Sequence, residues 1–287
     1  MTIADALNYS TALLKQNKMK DARLNAELIL SEVIKYDRMN LYLNFEKPLS
    51  QQESSAFAAF LQRRLKNEPL QYIFGKAHFY GMEFFVSRDV LIPRQETELL
   101  VERILDDIKK KGKGTLKLFE VGSGSGCISI SIAVMLEKEN IDCEIFSIDN
   151  SKEAVNVAVR NSELLLGENN RIKFYVKDVF EIDRLTKSFD YIVSNPPYIS
   201  LKDFNGLDPE VNEFEPMNAL TDKSDGLKFY ERIFAIASDV SFKGKVFCEI
   251  GYGQKQDLEK ILNEKKFCNY KFYKDYGNID RILEIRK

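Results

Sequence analysis

The stretch Asn195-Pro196-Pro197-Tyr198 combines residue types that could bind a planar amine. It follows the apolar run 189–194, which is short enough to be a buried parallel strand. Two prolines cannot continue a strand, because they donate no ladder hydrogen bond and force the residues before them to be extended. An amide side chain and a backbone carbonyl therefore leave the sheet together and can accept both hydrogens of an –NH2 group, beside a ring on which it can stack. The alternative is an ordinary strand exit.

A second candidate site is the glycine-rich turn Gly122-Ser123-Gly124-Ser125-Gly126, which follows a strand and precedes a helix. A dinucleotide fingerprint requires glycine at position 127, where the chain has Cys127, and a phosphate loop requires a terminal Gly-Lys-Ser/Thr that is absent. Glu120, just before the turn, would repel a pyrophosphate and favour an ammonium group. A ligand with an amino-acid tail and no phosphate, such as S-adenosylmethionine, fits better.

Two aspartates follow the next two predicted strands. Asp149 closes one strand and can accept both hydroxyls of a ribose, while Asp178 can accept from an exocyclic amine of adenine beside the apolar Val179 and Phe180. Each aspartate taken alone is more often a helix N-cap or turn residue. Together with the glycine turn and Asn195 they follow four strands, and open parallel sheets bind ligands at the carboxyl ends of their strands.

The elements that must position these residues form an α/β pattern after residue 115. Helical segments follow several of the predicted strands, so we expect a parallel sheet covered on both faces, with the last two strands as an antiparallel hairpin at one edge. The predicted strands are Leu116–Val121, Glu144–Ile148, Ile172–Val176, Tyr191–Ser194, Lys245–Ile250, Tyr270–Tyr273 and Arg281–Ile285.

The residues before Phe74 predict a small helical bundle. Their apolar side chains recur at helical spacing, and Ser50 with Glu53 forms a candidate capping box. Aromatic and β-branched residues from His78 to Pro93 predict a hairpin, and Pro93 is expected at the first position of the following helix.

Composition limits the function classes. The 287 residues carry a net charge of −2 with 30% charged and 44% hydrophobic side chains, and no long basic block suggests a nucleic-acid partner. One histidine and four widely spaced cysteines disfavour a zinc site, so no metal is expected. Without a signal pattern or a membrane-length apolar stretch, we expect a cytoplasmic protein.

Several other conspicuous residues are assigned structural roles. His78 is expected to pack in the hairpin, and Arg63-Arg64 to lie on a solvated helix face. The aromatic cluster Tyr270, Phe272, Tyr273 and Tyr276 is expected in the sheet core. The element Ile92–Glu98 is either a capped helix start or part of the pocket rim. Residues 200–225 lack periodicity and could cover the substrate.

On these motifs the chain resembles the class I S-adenosylmethionine-dependent methyltransferases, and within them the release factor glutamine methyltransferases, the PrmC/HemK family. The resemblance extends over essentially the whole chain. Besides the glycine turn and Asn195–Tyr198, it rests on Glu68–Gly75, Phe79–Gly81, Phe85–Ser87, Ile92–Glu98, Glu215-Pro216, Asp225–Leu227, Glu249–Gly251 with Gln254, and Asp280-Arg281.

The resemblance implies a Rossmann-like α/β fold with a seven-stranded, mostly parallel sheet. It implies a substrate-recognition bundle in residues 1–75, a β-hairpin linker in 76–92 and a methyltransferase domain in 93–287. The family methylates the side-chain nitrogen of the glutamine in the Gly-Gly-Gln motif of class I peptide chain release factors. We expect a monomer that binds no nucleic acid directly.

By the same resemblance, Gly122 to Gly126, Asp149, Asp178 and Val179 hold the cofactor, with Asn195 beside it. Asn195, Pro196, Pro197 and Tyr198 hold the glutamine amide, and Asn195, Pro196 and Tyr198 act in catalysis. Some relatives carry an aromatic residue where this chain has Val179, so stacking on the adenine is expected to be weaker. The open alternatives are a methyltransferase acting on exocyclic amines of adenine or guanine in DNA or RNA, and a non-catalytic adaptor.

Overall fold

A computed structural model describes residues 1–111, 114–168 and 170–286, which form two compact units. The first unit contains Met1–Gly75 and the short segment Pro209–Phe214. The second contains Lys76–Asp208 and Glu215–Lys287. In the described part of the chain, no helix is both long enough and apolar enough to cross a bilayer.

The first unit is built from helices that bury one apolar face each. Capping boxes begin α1 at Thr2 and α4 at Ser50, where the side chain accepts a hydrogen bond from the Glu53 backbone as predicted. Fully buried leucine, isoleucine and phenylalanine side chains fill the centre, each contributing about 1.5–3 kcal/mol by leaving water. The helices are α1 (Ile3–Gln16), α2 (Ala22–Ile34), α3 (Arg38–Leu43), α4 (Gln51–Arg64) and α5 (Leu70–Phe74).

The prediction for Arg64 was wrong. This side chain is buried, with Nε donating to Asn25 Oδ1 at 2.7 Å and a terminal nitrogen donating to the Glu68 carbonyl at 3.0 Å. It also forms a 2.8 Å ion pair with Glu210 of the segment Pro209–Phe214, inside the same unit. Its neighbour Arg63 binds both carboxylate oxygens of Glu68. The sequence pattern shows only a charged pair near a helix end and does not reveal these buried acceptors.

The second unit begins with an antiparallel hairpin of β1 (Lys76–Phe79) and β2 (Met82–Phe85). His78 was predicted to pack there, but its side chain is 76% exposed and points away from the buried Phe79 and Phe84. Strand alternation explains this difference, because neighbouring residues face opposite sides of the hairpin.

The main sheet has seven strands in the order β5-β4-β3-β6-β7-β9-β8, which confirms the predicted class I methyltransferase topology. The first five are parallel, and β9 pairs antiparallel with both β7 and β8. Tyr276 was wrongly assigned to the sheet core, since it lies in the turn between the last two strands and is 92% exposed. The strands are β3 (Leu116–Val121), β4 (Cys143–Asp149), β5 (Ile172–Val176), β6 (Tyr191–Ser194), β7 (Lys245–Glu249), β8 (Tyr270–Lys274) and β9 (Asp280–Arg286).

Helices cover both faces of this sheet and create two separate cores. One core joins the sheet to α6 and α7, and the other joins it to α12 and α13. The helices of the second unit are α6 (Gln95–Lys111), α7 (Cys127–Lys138), α8 (Lys152–Leu166), α9 (Leu201–Phe204), α11 (Met217–Leu220), α12 (Lys228–Ser238) and α13 (Lys255–Glu264), with a 3-10 turn at Val179–Glu181. The short helix α10 (Pro209–Asn212) belongs to the first unit.

Pro93 does not occupy the first helical position, because α6 begins at Gln95. Pro93 and Arg94 precede the helix and line the cleft described below. The segment thus starts a helix and contributes to the pocket rim, so both alternatives raised for Ile92–Glu98 apply.

Candidate active site

One cleft lies at the carboxyl ends of four adjacent parallel strands, β5, β4, β3 and β6. The sheet order brings together residues that are far apart in sequence, because each loop leaves the same edge. Its lining includes nearly all of the predicted site: Gly122, Ser123, Gly124, Ser125, Asp149, Asp178, Val179, Asn195, Pro196 and Pro197. Gly126 and Tyr198 are not among the lining residues.

The glycine turn follows β3 in a conformation that side chains resist. Gly122, Gly124 and Gly126 have φ values of 82°, 51° and 79°. A Cβ atom on Gly126 would also lie 2.8 Å from Ile130 Cδ1 and 3.2 Å from Ala158 Cβ, so this glycine lets α7 pack against α8. The structural reason for a glycine at the end of the turn is therefore helix packing.

Asp149 ends β4 and braces the turn. Its carboxylate accepts hydrogen bonds from the backbone N–H of Gly124 and of Ser151, each at 2.9 Å. Burial raises the pKa of Asp149, and these two N–H groups oppose the shift. A carboxylate has about four lone-pair positions, so it can still accept the hydroxyl groups of a ribose.

Glu120 lies beneath the turn and is not part of the cleft lining. Oε2 accepts from the hydroxyls of Ser129 and Ser147, while Oε1 is buried and has no hydrogen-bond partner among the described residues. Burial raises its pKa to about 7. Glu120 can therefore affect a ligand only from a distance, and its negative charge weakens as pH falls below about 7.

The end of the cleft beside the turn that follows β5 has an apolar wall that the sequence only partly indicated. Val179 is buried and lines the cleft, while Phe180 is 46% exposed and packs edge-on against Phe229 at 5.2 Å. Phe229, in the first turn of α12, is itself part of the lining and supplies an aromatic ring there. Sequence reasoning missed it because it is fifty residues from Val179 and lies just beyond the quoted motif Asp225–Leu227, to which no role was assigned.

Asp178 caps a turn, as aspartate often does, and also lines the cleft. Its Oδ1 accepts from the Phe180 backbone N–H at 2.9 Å and caps the 3-10 turn. Arg232 of α12 donates to the Val179 carbonyl at 3.0 Å and holds the same turn in place. The second oxygen of Asp178 is available to a ligand.

The donor set of the cleft fits a nucleoside that carries an amino-acid tail better than a phosphate. Its two basic side chains are already paired: Arg94 with Glu215, and Lys177 with Glu181 at 3.2 Å. The carboxylates of Asp89, Asp149 and Asp178, an apolar wall and the hydroxyl groups of Ser123 and Ser125 remain, because the N–H groups of the three glycines in the turn already donate within the protein. These groups can hold hydroxyls, an aromatic base and a carboxylate, as S-adenosylmethionine requires.

Asn195 lies at the end of β6 within a chain of three hydrogen bonds. Its Nδ2 donates to Thr97 Oγ1 at 3.0 Å, and the Thr97 hydroxyl donates to Glu249 Oε2 at 2.6 Å. Glu249 Oε1 accepts from the Tyr198 hydroxyl at 3.2 Å. Burial raises the pKa of Glu249 to about 7, although both hydroxyls and the charge of Arg281 oppose the shift.

Thr97 and Glu249 were quoted only within longer motifs and were given no role by the sequence analysis. A usable signal existed for Glu249, which ends β7 as Asp149 ends β4 and Asn195 follows β6. No such signal exists for Thr97. Its contact with Asn195 and Glu249 depends on the packing of α6 beside these strand ends.

The loop after Asn195 is held by a second cluster of hydrogen bonds, which is centred on Gln254. Gln254 Nε2 donates to the carbonyls of Tyr198, at 3.0 Å, and Gly226, at 3.2 Å, while its Oε1 accepts from the Gly251 backbone N–H at 2.8 Å. A Cβ atom on Gly226 would lie 2.2 Å from the Tyr198 carbonyl oxygen. Only glycine allows this close approach of two backbone segments.

The rim of the cleft joins two more of the quoted motifs. Glu215 is buried, accepts from the Ile92 backbone N–H at 3.2 Å and pairs with Arg94 at 2.5 Å. The residues just beyond it, Asn218 and Ala219 of α11, line the cleft. Part of segment 200–225 is therefore fixed to the site by a part-buried ion pair.

Comparisons with known proteins match both parts of the chain. The family described as the PrmC N-terminal domain matches residues 5–75, and a methyltransferase domain family matches residues 113–270. Three relatives, each named release factor glutamine methyltransferase, are 36% identical to this chain. The protein from Fusobacterium nucleatum aligns with 99% of this chain and 78% of its own length, that from Geobacter sulfurreducens with 98% and 95%, and that from Bacillus subtilis with 98% and 96%.

Solved structures with low sequence identity share the fold. The hMettl16 catalytic domain, solved in complex with an RNA hairpin, is 13% identical with a TM-score of 0.57 and covers 91% of this chain and 90% of its own. The T. thermophilus 16S rRNA N2 G1207 methyltransferase, solved with AdoMet and guanosine, is 18% identical with a TM-score of 0.50 and covers 74% of this chain and 49% of its own. Both support the methyltransferase fold.

Proposed function

The chain belongs to the family of release factor glutamine methyltransferases, and we propose that it methylates the side-chain amide nitrogen of the glutamine in the Gly-Gly-Gln motif of class I peptide chain release factors. The observation that carries this proposal is the match to relatives of that name along nearly the whole of both chains. The methyl donor is S-adenosylmethionine, which supplies an electrophilic methyl group on a sulfonium.

For cofactor binding we assign the residues that line the cleft on β3, β4 and β5. Gly122, Ser123, Gly124 and Ser125, with Gly126 shaping the turn, hold the amino-acid end. Asp149 accepts from the ribose, and Asp178 with Val179 contacts the adenine. The orientation of the glycine turn, the two paired basic residues and the ring of Phe229 support this assignment.

For the acceptor amide we assign Asn195, Pro196, Pro197 and Tyr198. An amide nitrogen is a poor nucleophile, because its lone pair is delocalised into the carbonyl. If Asn195 Oδ1 and the Pro196 carbonyl each accept one N–H, electron density shifts onto nitrogen, and both oxygens stabilise positive charge as the methyl group arrives. The proline pair fixes the backbone, and Tyr198 holds the loop so that the amide plane is oriented.

We further assign recognition of the release factor to residues 1–75, on the match of this region to the PrmC N-terminal domain. The enzyme is proposed to act as a cytoplasmic monomer. A net charge of −2 supports a protein substrate rather than direct nucleic-acid binding, since gripping a phosphate backbone requires a surplus of basic residues.

In the test, the purified enzyme is incubated with labelled S-adenosylmethionine, a class I release factor and bare nucleic acid. Label is expected in the release factor and is expected to disappear when its Gly-Gly-Gln glutamine is replaced by glutamate. Asn195→Ala is expected to lower kcat by roughly tenfold or more while the protein stays folded. Label in nucleic acid alone would instead support the exocyclic-amine alternative, and cofactor-free binding of the release factor without transfer would support an adaptor.

A further inference from the structure

We propose that Thr97 and Glu249 are positioning residues that set the orientation of the Asn195 amide, so that its oxygen faces the substrate. This inference rests on the proposed function, because it concerns how Asn195 receives an –NH2 group. The three side chains come from α6, β7 and the end of β6, and they form one line of hydrogen bonds.

The direction of each hydrogen bond follows from the chemistry of the carboxylate. Above its raised pKa of about 7, Glu249 is ionised and can only accept, and it accepts from the Thr97 hydroxyl at 2.6 Å. Thr97 has one hydroxyl hydrogen, which is used in that bond, so toward Asn195 its oxygen can only accept. Asn195 must therefore present its –NH2 group to Thr97, which it does at 3.0 Å.

A fixed –NH2 group leaves Asn195 Oδ1 for the ligand. No hydrogen-bond donor among the described residues contacts this oxygen, so its lone pairs are available at the cleft that Asn195 lines. If the amide were turned by half a rotation, its own –NH2 group would face the –NH2 of the substrate. Two –NH2 groups cannot form a hydrogen bond with each other. The turned form of Asn195 would therefore repel the substrate amide and could not activate it.

Burial makes the orientation strict. Thr97 is 2% exposed and Glu249 1% exposed, so water cannot substitute for a missing partner. Glu249 is fixed from its other oxygen by the Tyr198 hydroxyl at 3.2 Å, and its own backbone carbonyl accepts from Tyr230 at 2.8 Å. One carboxylate thus holds the amide of Asn195 and the ring of Tyr198, the two ends of the Asn-Pro-Pro-Tyr stretch.

The experiment compares Thr97→Val, which removes the hydroxyl at nearly constant volume, with Thr97→Ser, which keeps it. Thr97→Val is expected to lower kcat toward the release factor by roughly tenfold to a hundredfold. The Kd for S-adenosylmethionine and the KM for the release factor should change by less than about threefold. Thr97→Ser is expected to restore most of the lost kcat. Thr11→Val is the matched control, because Thr11 Oγ1 is buried and has no hydrogen-bond partner among the described residues.

A double-mutant cycle separates positioning from a general effect on the fold. We call the hydrogen-bonded series Glu249, Thr97 and Asn195 the relay. In the Asn195→Ala background the relay has no amide to orient, so adding Thr97→Val should leave the residual rate of label transfer unchanged. An equal loss in both backgrounds, or a Thr97→Ser variant as slow as Thr97→Val, would overturn the relay. Wild-type enzyme that labels no release factor would refute the proposed function itself, whereas wild-type transfer that Thr97→Val leaves intact would refute the relay alone.

Discussion

At the residue scale, the site depends on polar side chains at the ends of buried strands. Asn195 and Asp149 were predicted because each directly ends or follows an apolar run, a position that identifies the binding edge of a parallel sheet. Thr97 could not be predicted in the same way. Its hydroxyl matters because α6 brings it within 3.0 Å of a side chain 98 residues away, and no local pattern encodes that contact.

A raised carboxyl pKa makes the stability of this protein depend on pH. The pKa of Glu249 rises from 4.5 to about 7 by burial, with Glu96 adding to the shift and Arg281 opposing it. The folded protein therefore binds a proton more tightly than the unfolded chain, and wild-type stability falls as pH rises from the lower value to the higher one. Glu249→Gln removes this loss.

We compare the free energy of unfolding of Glu249→Gln with that of wild type. As pH rises from about 4.5 to about 8, the difference is expected to change by roughly 2–4 kcal/mol in favour of the variant. Urea denaturation at both pH values measures this. Glu120 is the internal control, because its pKa is also raised to about 7 and its contribution is the same in both proteins. A difference between variant and wild type that stays constant with pH would contradict the assignment.

At the element scale, the strands of the sheet were predictable and the long loop after β6 was not. Largely apolar runs placed β3 and β6 at their observed bounds, because a strand buried on both faces has few polar positions. The edge strand β5 also has its predicted bounds, although most of its residues are exposed or half-exposed. Segment 200–225 was predicted as a cover without periodicity, yet it contains α9, α10 and α11. These helices have four residues each, too few to show a helical repeat in sequence.

The residue just after this segment, Gly226, lies close to the loop that carries Asn195 and Tyr198, and this approach predicts the effect of one added methyl group. Gly226 has a φ of 85°, and a Cβ atom there would lie 2.2 Å from the Tyr198 carbonyl oxygen. Gly226→Ala should lower the free energy of unfolding by roughly 2–4 kcal/mol and reduce kcat, because the loop that carries Asn195 must shift. Thermal unfolding and turnover assays measure both effects.

Gly206→Ala, inside segment 200–225, is the matched control. Gly206 is exposed, and a Cβ atom there would be 3.5 Å from the Asp203 carbonyl oxygen, an ordinary contact. This variant should stay within about 0.5 kcal/mol of wild type. Equal behaviour of the two variants would show that the predicted clash is relieved without cost.

At the scale of the whole molecule, the chain crosses between its two units more than once. The segment Pro209–Phe214 belongs to the helical unit, although the residues on both sides of it belong to the sheet unit. The alternation of helix and strand patterns cannot indicate this excursion, because the ion pair between Arg64 and Glu210 joins residues 146 positions apart.

Removal of Arg64 should loosen the helical unit at two separate places. Arg64→Ala leaves Asn25 Oδ1 and the Glu68 carbonyl without their donor and Glu210 without its cation, at a cost of roughly 2–4 kcal/mol. Hydrogen exchange should accelerate in α2 and in Pro209–Phe214. Lys66→Ala, an exposed basic residue two positions on, is the control, and unchanged exchange in Arg64→Ala would refute this role.

The most direct test of the account is fragment mass analysis of a class I release factor after incubation with the enzyme and S-adenosylmethionine. The account predicts the added mass of one methyl group on the side-chain nitrogen of the Gly-Gly-Gln glutamine, and much less of it with Asn195→Ala. A methyl group on any other residue, or a release factor left unmodified while nucleic acid in the same tube is methylated, would contradict it.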